Sequence, residues 1–314
     1  MVTLERTGSR RLALKLHGVA GLLIILVAET LLFSGNQIVG EWFTPIVWTG
    51  YILFVDALVY KVKGHSLLVT ARAEFVIIAV VSIASWWVFE LYNAPRFWRS
   101  DLELWWHYHN LEPNLFLRRL GYDWAFATIS PALFETAELF HATLFSKVRF
   151  ARAIKLSNRS LYLIIAVGFV GAALPLVLIS PWLVPLIWLG LILVLDPMNA
   201  LRGWPSITGD LRRGNYRRLL ALLASGAVCG VLWEFWNYWA LTKWTYTVPY
   251  LGNLKVFEMP VLGYLGFPPF AVESWAMYLF ISGWMLGVRG WIDDTSICPS
   301  LFSQNAQPSY RHAR

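Results

Sequence analysis

Apolar runs of about 20 residues, separated by shorter polar and basic segments, dominate the chain. A helix needs about 20 mostly apolar residues to cross a bilayer. The pattern predicts eight such helices, over residues 13–33, 43–60, 75–93, 126–146, 161–180, 182–198, 219–241 and 267–288. Between the fifth and sixth runs only Ser180-Pro181 interrupts the apolar sequence, so a tight helical hairpin is expected there.

The polar segments between the runs carry an orientation. With the N-terminus inside, 20 of the 26 Lys and Arg residues fall in inner segments. The outer loops keep only Arg96, Arg99, Arg118, Arg119, Lys243 and Lys255. Basic residues collect on the cytoplasmic side, so both termini are expected inside, in a multi-pass protein of the cell membrane. Arg10, Arg11 and Lys15 precede the first run as they would in a signal peptide. No small-x-small cleavage site follows it, and it is read as a retained helix.

Composition agrees with this pattern. Hydrophobic residues make up 57% of the chain and charged residues 14%, against about 25% charged in soluble domains. The mean hydropathy of +0.53 excludes a disordered chain and argues against a soluble one. Cys229 and Cys298 are the only cysteines, too few for a disulfide framework or a Cys-rich metal site. The net charge of +7 follows from the basic loops, so no nucleic acid partner is expected. The expected partners are the lipid bilayer and a hydrophobic small molecule; the oligomeric state stays open.

The two halves share a pattern at an offset of 140. Trp42, Pro45, Trp48, Gly50 and Asp56 correspond to Trp182, Pro185, Trp188, Gly190 and Asp196. Further on, Glu90-x-x-Asn93 corresponds to Glu234-x-x-Asn237, Trp106-x-Tyr108 to Trp244-x-Tyr246, and Pro131-x-x-x-Glu135 to Pro269-x-x-x-Glu273. The spacing from Trp106 to Glu135 and from Trp244 to Glu273 is 29 in both. The expected fold is therefore all-α: a polytopic membrane protein of about eight transmembrane helices in two four-helix repeats. The repeats are residues 1–153 and 154–290, followed by a cytoplasmic tail, 291–314. Four is an even number, so the repeats run in the same direction, related by an axis along the membrane normal.

The shared residues are polar and aromatic, which directs attention to chemistry. Glu135 and Glu273 are expected about six residues, or ~9 Å, into their helices from the outer side. Glu90 and Glu234 lie near the outer ends of their helices, with Asn93 and Asn237 on the same faces. All four carboxylates are then expected in one outer layer, facing the bundle interior because a carboxylate facing lipid is costly. The plain alternative is polar glue between helices. Residues 94–124 and 242–266 are rich in aromatics, including Phe97, Trp98, Trp106, Tyr108, Trp244, Tyr246 and Tyr250. They are expected to cover the carboxylate layer as lids or re-entrant segments. Asp56 and Asp196 are expected to snorkel or to pair with Lys61, Lys63 or Arg202, while the role of Glu29 is undecided. Glu135-x-x-Glu138-x-x-His141 has the spacing of a carboxylate-bridged metal ligand set. The second copy has Ala276 and Leu279 in its place, so no metal and no cofactor is expected. Phosphate-binding, dinucleotide and HExxH motifs are absent, as is a DDxxD-type element; Asp293-Asp294 fall in the tail.

Trp233-Glu234, then Lys243-Trp244-Thr245-Tyr246, then Pro260, resembles the pattern of the small-subunit type of integral-membrane lycopene cyclases, and in layout membrane carotenoid hydratases. The likeness covers about 40 residues per repeat. Where those proteins follow the proline with a Glu pair, this chain has Val261-Leu262-Gly263 and its acid comes later, at Glu273. The stretch from Trp233 to Glu273 also resembles bacterial multi-pass proteins without an assigned activity. The resemblance implies an enzyme that works on an isoprenoid or carotenoid.

The residues themselves allow the same chemistry. A carboxylic acid in an apolar site keeps its proton at neutral pH and can protonate an alkene. Nearby Trp and Tyr faces stabilise the resulting cation. Glu90, Glu135, Glu234 and Glu273 are the candidate acids and bases. Asn93, Asn237, Trp106, Tyr108, Trp244 and Tyr246 are the candidate substrate-binding residues, with Trp86, Trp87, Trp233 and Trp236 as further aromatic walls. The expected reaction is cyclisation, isomerisation or hydration of an isoprenoid or other hydrophobic lipid. The rival reading is a proton- or cation-coupled transporter or channel built on the intramembrane glutamates. A structural or partner-binding role is the third.

Overall fold

The computed structural model describes residues 14–94, 103–247, 251–286 and 296–298. Phe97, Trp98, Tyr250, Asp293, Asp294 and most of the tail lie outside the described residues. So do Arg6, Arg10, Arg11, Arg96, Arg99, Arg289, Arg311 and Arg314 of the charge count.

The chain is mostly helical. Its elements are α1 (Leu16–Phe33), α2 (Gln37–Glu41), α3 (Phe43–Lys63), α4 (Leu67–Thr70), α5 (Arg72–Asn93), β1 (Trp106–His109), α6 (Leu115–Ala142), α7 (Asn158–Val177), α8 (Gly190–Leu201), α9 (Ile207–Arg212), α10 (Arg217–Trp239), β2 (Lys243–Tyr246), β3 (Lys255–Val256), β4 (Met259–Pro260) and α11 (Phe267–Leu286). Short 3₁₀ turns, Pro181–Leu186 and Val261–Gly266, precede α8 and α11.

Six segments are long and apolar enough to cross a membrane: α1, α3, α5, α7, Pro181–Leu201 and α10. The other two long helices, α6 and α11, are not among these six. Both are central, packing on each other and on α5 and α10. A helix surrounded by protein rather than lipid has no need of an apolar outer face. At the periphery, α1 and α7 bury only 17% and 22% of their apolar windows, so their side chains face outward as lipid-facing helices do.

Helix boundaries correct the sequence reading in one place that matters. The fourth apolar run begins at 126, but α6 begins at Leu115. The Asn114 side chain caps it, accepting from the Phe116 and Leu117 N–H groups at 3.0 and 3.2 Å. Arg118, Arg119 and Asp123 fill the first turns and hide them from a hydropathy reading.

Small residues bring the peripheral helices close. A Cβ on Gly50 of α3 would lie 2.8 Å from the Gly21 carbonyl oxygen of α1. One on Gly190 of α8 would lie 2.7 Å from the Ala172 backbone nitrogen of α7. Such contacts need glycine for its size.

Asp56 and Asp196 do not pair with Lys61, Lys63 or Arg202 as expected. Asp56 accepts from the Leu68 N–H at 2.8 Å and from Ser66 Oγ and His17 Nε2, both at 2.9 Å. Asp196 accepts from the Ile207 and Thr208 N–H groups, both at 2.7 Å, and from Thr208 Oγ1 at 2.6 Å. Each carboxylate thus satisfies orphan N–H groups at the start of a short helix, α4 or α9.

Candidate functional site

β1 and β2 come from opposite halves of the chain and pair antiparallel, Trp106 opposite Tyr246 and Tyr108 opposite Trp244. Side chains alternate across a strand, so Trp106, Tyr108, Trp244 and Tyr246 share one face. The other face carries His107 and His109, which bond to Thr247 and Thr245 at 2.7 and 2.8 Å.

Two buried asparagines hold this ribbon to the helices. Asn93, the last residue of α5, accepts through Oδ1 from the N–H groups of Leu104, Trp105 and Trp106 at 3.2, 2.9 and 3.1 Å. Its Nδ2 donates to the Trp106 carbonyl at 2.9 Å. On α10, Asn237 accepts from the Trp244 N–H at 2.9 Å and donates to the Trp244 carbonyl at 2.8 Å. Both were candidates for substrate binding. Their polar atoms are used by ribbon backbone, so they position the aromatic residues instead.

Beneath the ribbon lies an aromatic cavity of about 160 Å³. Trp106, Tyr108, Trp244 and Tyr246 line it, with Trp86 of α5 and Trp233 of α10. Trp86 and Trp233 stack on each other with ring centroids 5.6 Å apart. Trp42, Trp48, Tyr122, Phe126, Trp188, Phe267 and Phe270 complete much of the aromatic wall, and Cys229 lies on it deeper in.

Glu90 and Glu234 stand behind this wall, each touching the cavity through a tyrosine. Tyr108 donates its hydroxyl to Glu90 Oε1 at 2.6 Å. The same oxygen accepts from the Trp86 and Trp106 indoles at 2.9 and 3.2 Å. In the second half, Tyr246 donates to Glu234 Oε1 at 2.7 Å. There the Trp244 indole donates to the Tyr246 oxygen, at 2.6 Å, with the Glu234 carboxylate as its more distant neighbour. Glu234 Oε2 is buried without a hydrogen-bond partner among the described residues. Burial pushes the Tyr108 and Tyr246 hydroxyls well above the usual tyrosine range, and the adjacent glutamates push them further. Burial, then Glu234, pushes Tyr264, outside the ribbon, up to about 12.

The expected single layer of four carboxylates does not form. Ser82 of α5 bonds to Phe126 and Ser130 of α6, and Trp87 bonds to Asp123. This register sets Glu135 level with the first turn of α5, about 20 Å from Glu90 at 1.5 Å per residue. Glu135 Oε1 accepts from the Leu67 N–H at 3.3 Å, and Asp56 and Glu138 are its charged neighbours. Glu138 is tied to Lys63, to Ser296 Oγ at 3.0 Å and to the Ile297 N–H at 2.6 Å. In the second half, Gly226 and Gly230 pack on Phe267 and Arg218 stacks on Trp275. Glu273 is thereby level with the first turns of α10, again about 20 Å from Glu234. The Leu191 N–H faces its carboxylate, but neither oxygen reaches hydrogen-bond geometry with a described residue. The structure brings together Glu90 and Glu234 with the ribbon, and leaves Glu135 and Glu273 out.

Other expected wall residues also separate. Trp87 turns away to Asp123, at 3.1 Å, and carries Arg119 on its face. Trp236 donates to Glu29 of α1 at 3.0 Å, which gives Glu29 a partner. Trp48 and Trp188, matched in the internal duplication but not among the expected site residues, line the same cavity.

No family model matches the sequence, and neither a curated protein nor a solved structure matches it.

Proposed function

We propose that this chain is a membrane enzyme that carries out acid–base chemistry on an unsaturated hydrophobic molecule held in the aromatic cavity. The observation that carries this reading is the pair of tyrosine–glutamate contacts, Tyr108–Glu90 and Tyr246–Glu234, in the wall of one cavity. Proton transfer from one pair to a C=C bond uses the π electrons to form a C–H bond and leaves a carbocation. Aromatic faces stabilise that cation. Attack by a second C=C closes a ring, and loss of a neighbouring C–H proton to the other pair restores a double bond. Attack by water gives hydration instead. Either course conserves electrons and needs no redox partner. The resemblance to carotenoid cyclases and hydratases makes an isoprenoid the substrate class to try first.

The architecture we propose has α6 and α11 as seventh and eighth spanning helices, and two four-helix units in the same direction. Matching bonds support it: Asn93 and Asn237 on the ribbon, Tyr108 and Tyr246 on Glu90 and Glu234, Asp56 and Asp196 on α4 and α9. The basic loops support a cell-membrane orientation with both termini cytoplasmic and the ribbon outside.

Deuterium tests the enzyme reading. Acyclic polyunsaturated isoprenoids incubated with the purified protein in D₂O should yield a product with deuterium at carbon. The Glu90→Gln and Glu234→Gln variants should insert normally and give none. Unchanged isoprenoids with correctly folded and inserted wild-type protein would remove the proposal.

The second tier of buried carboxylates, Asp56 and Glu135 on one side and Glu273 on the other, favours a second reading: a proton- or cation-coupled carrier. Proton or cation uptake into proteoliposomes, abolished by Glu135→Gln, would support the carrier over the enzyme.

A further inference from the structure

We infer that the cavity receives only one ring-sized end of a long apolar molecule, and that the rest of the molecule leaves through a mouth between Trp42 and Gly121. This deepens the proposed hydrophobic-ligand reading and rests on it. Size is the first argument. An apolar cavity of about 150 Å³ accommodates benzene, and this one is of about 160 Å³. A chain of several isoprene units does not fit inside it.

The second argument is where the wall meets the surface. Among the described residues lining the cavity, Glu41 and Leu117 are the exposed ones. Between them the lining is Trp42, from the α2–α3 junction, and Gly121 of α6. A Cβ on Gly121 would meet only the Trp42 ring, at 3.6 and 3.8 Å, so the glycine leaves a gap beside the indole.

The third argument is what lies beyond the gap. Leu117, Leu120 and Trp124 of α6 are 39%, 46% and 40% exposed. Their spacing of three and four residues makes one helix face, about 10 Å long. Trp124 is also close to the mouth, its ring 6.2 Å from that of Trp42. This apolar strip continues the cavity wall outward and offers a bed for an extended hydrocarbon chain. The ligand class is therefore a long apolar chain with one ring-sized end seated beside Tyr108 and Tyr246.

The test uses the full-length protein in nanodiscs and two probes. One is bromobenzene; the other is bromobenzene with a long para-alkyl tail. Bromine quenches tryptophan fluorescence on contact, and the part of the quenching that is lost in Trp86→Phe/Trp233→Phe, whose rings line the cavity, reports entry of the ring. Both should quench wild-type protein and Gly121→Ala. Gly121→Phe, which fills the gap, should weaken the tailed probe at least about tenfold, a loss that removing a few methylene contacts can supply, and leave bromobenzene within about twofold. Leu117→Tyr, at an exposed position with little bearing on folding, should do the same from the other side of the mouth. A tailed probe that fails to quench wild type, or that binds both narrowed variants unchanged, overturns the inference while the cavity reading stands. Bromobenzene failing to quench wild type removes the ligand cavity and this inference together.

Discussion

Trp106 lies directly opposite Tyr246 across a two-stranded ribbon whose strands are separated by more than a hundred residues of chain. Each strand depends on the other for its backbone pairing, and each is held from behind by an asparagine of its own half. The aromatic roof of the cavity is therefore a joint product of both halves. Residues on directly opposed positions are about 5 Å apart at Cβ, and diagonal ones about 7–8 Å. That geometry puts the hydroxyl-bearing rings of Tyr108 and Tyr246 within reach of one ligand.

Asn93 should be the most sensitive point of this roof. Its side chain is fully buried and makes four hydrogen bonds to backbone. Asn93→Ala strands the Trp105 and Trp106 N–H groups and the Trp106 carbonyl, while the Leu104 N–H keeps the Asn93 backbone carbonyl at 2.9 Å; each group that stays dry costs about 1–3 kcal/mol. Water entering beside the ribbon offsets part of this, so we expect a loss of about 2–4 kcal/mol. Thermal unfolding followed by tryptophan fluorescence measures it. A shift no larger than that of an exposed control, such as Asn158→Ala, would show that the ribbon is held by its aromatic packing alone.

The two tyrosine–glutamate contacts are unequal, and their removal should be unequal too. Tyr108→Phe leaves Glu90 with the indole donors of Trp86 and Trp106. Tyr246→Phe leaves Glu234 only the more distant indole of Trp244, its second oxygen being already unpartnered among the described residues. An unsatisfied buried acceptor costs about 1–3 kcal/mol. Tyr246→Phe should therefore destabilise the protein by about that much more than Tyr108→Phe. Equal melting temperatures for the two variants would contradict this account of the donors.

Two glycines near one helix pair should respond in opposite directions. The Cβ added by Gly190→Ala meets Ala172 backbone at 2.7 and 2.8 Å, where neither α7 nor α8 can yield without moving. Overpacking of this kind costs about 1–3 kcal/mol. In Gly171→Ala the nearest atoms are at 3.8 and 3.9 Å, ordinary contact distance. There alanine should be neutral or stabilising by up to about 1 kcal/mol, through helix propensity. Parallel melts of the two variants in the same detergent decide the matter, and a destabilising Gly171→Ala would show a tighter α7–α8 contact than described.

How deep each glutamate lies shows where sequence reading succeeds and where it stops. Glu90 and Glu234 lie near helix ends, as expected, because α5 and α10 end where their apolar runs end. Glu135 lies deeper in its helix than the apolar run from residue 126 suggests. The true start of α6 depends on the Asn114 cap and on charged first turns, which hydropathy does not register. Glu273 shows a different limit. α11 begins at Phe267, as expected, yet its packing on α10 sets Glu273 far from Glu234. Helix boundaries alone do not give the axial offset between neighbouring helices.

Local sequence determined what local forces control: which segments are apolar enough for a membrane, where Ser180-Pro181 breaks a run, and which residues recur at matched spacing in the two halves. Each of these depends on side-chain solvation or backbone geometry within a few turns. Only the tertiary structure decided which recurring residues meet. Trp48 and Trp188 reach one cavity, and β1 finds β2, through contacts between elements far apart in the chain. The asparagines went to backbone and the tyrosines to glutamates for the same reason. A buried polar group must find a partner, and the partner within reach is set by how the helices pack.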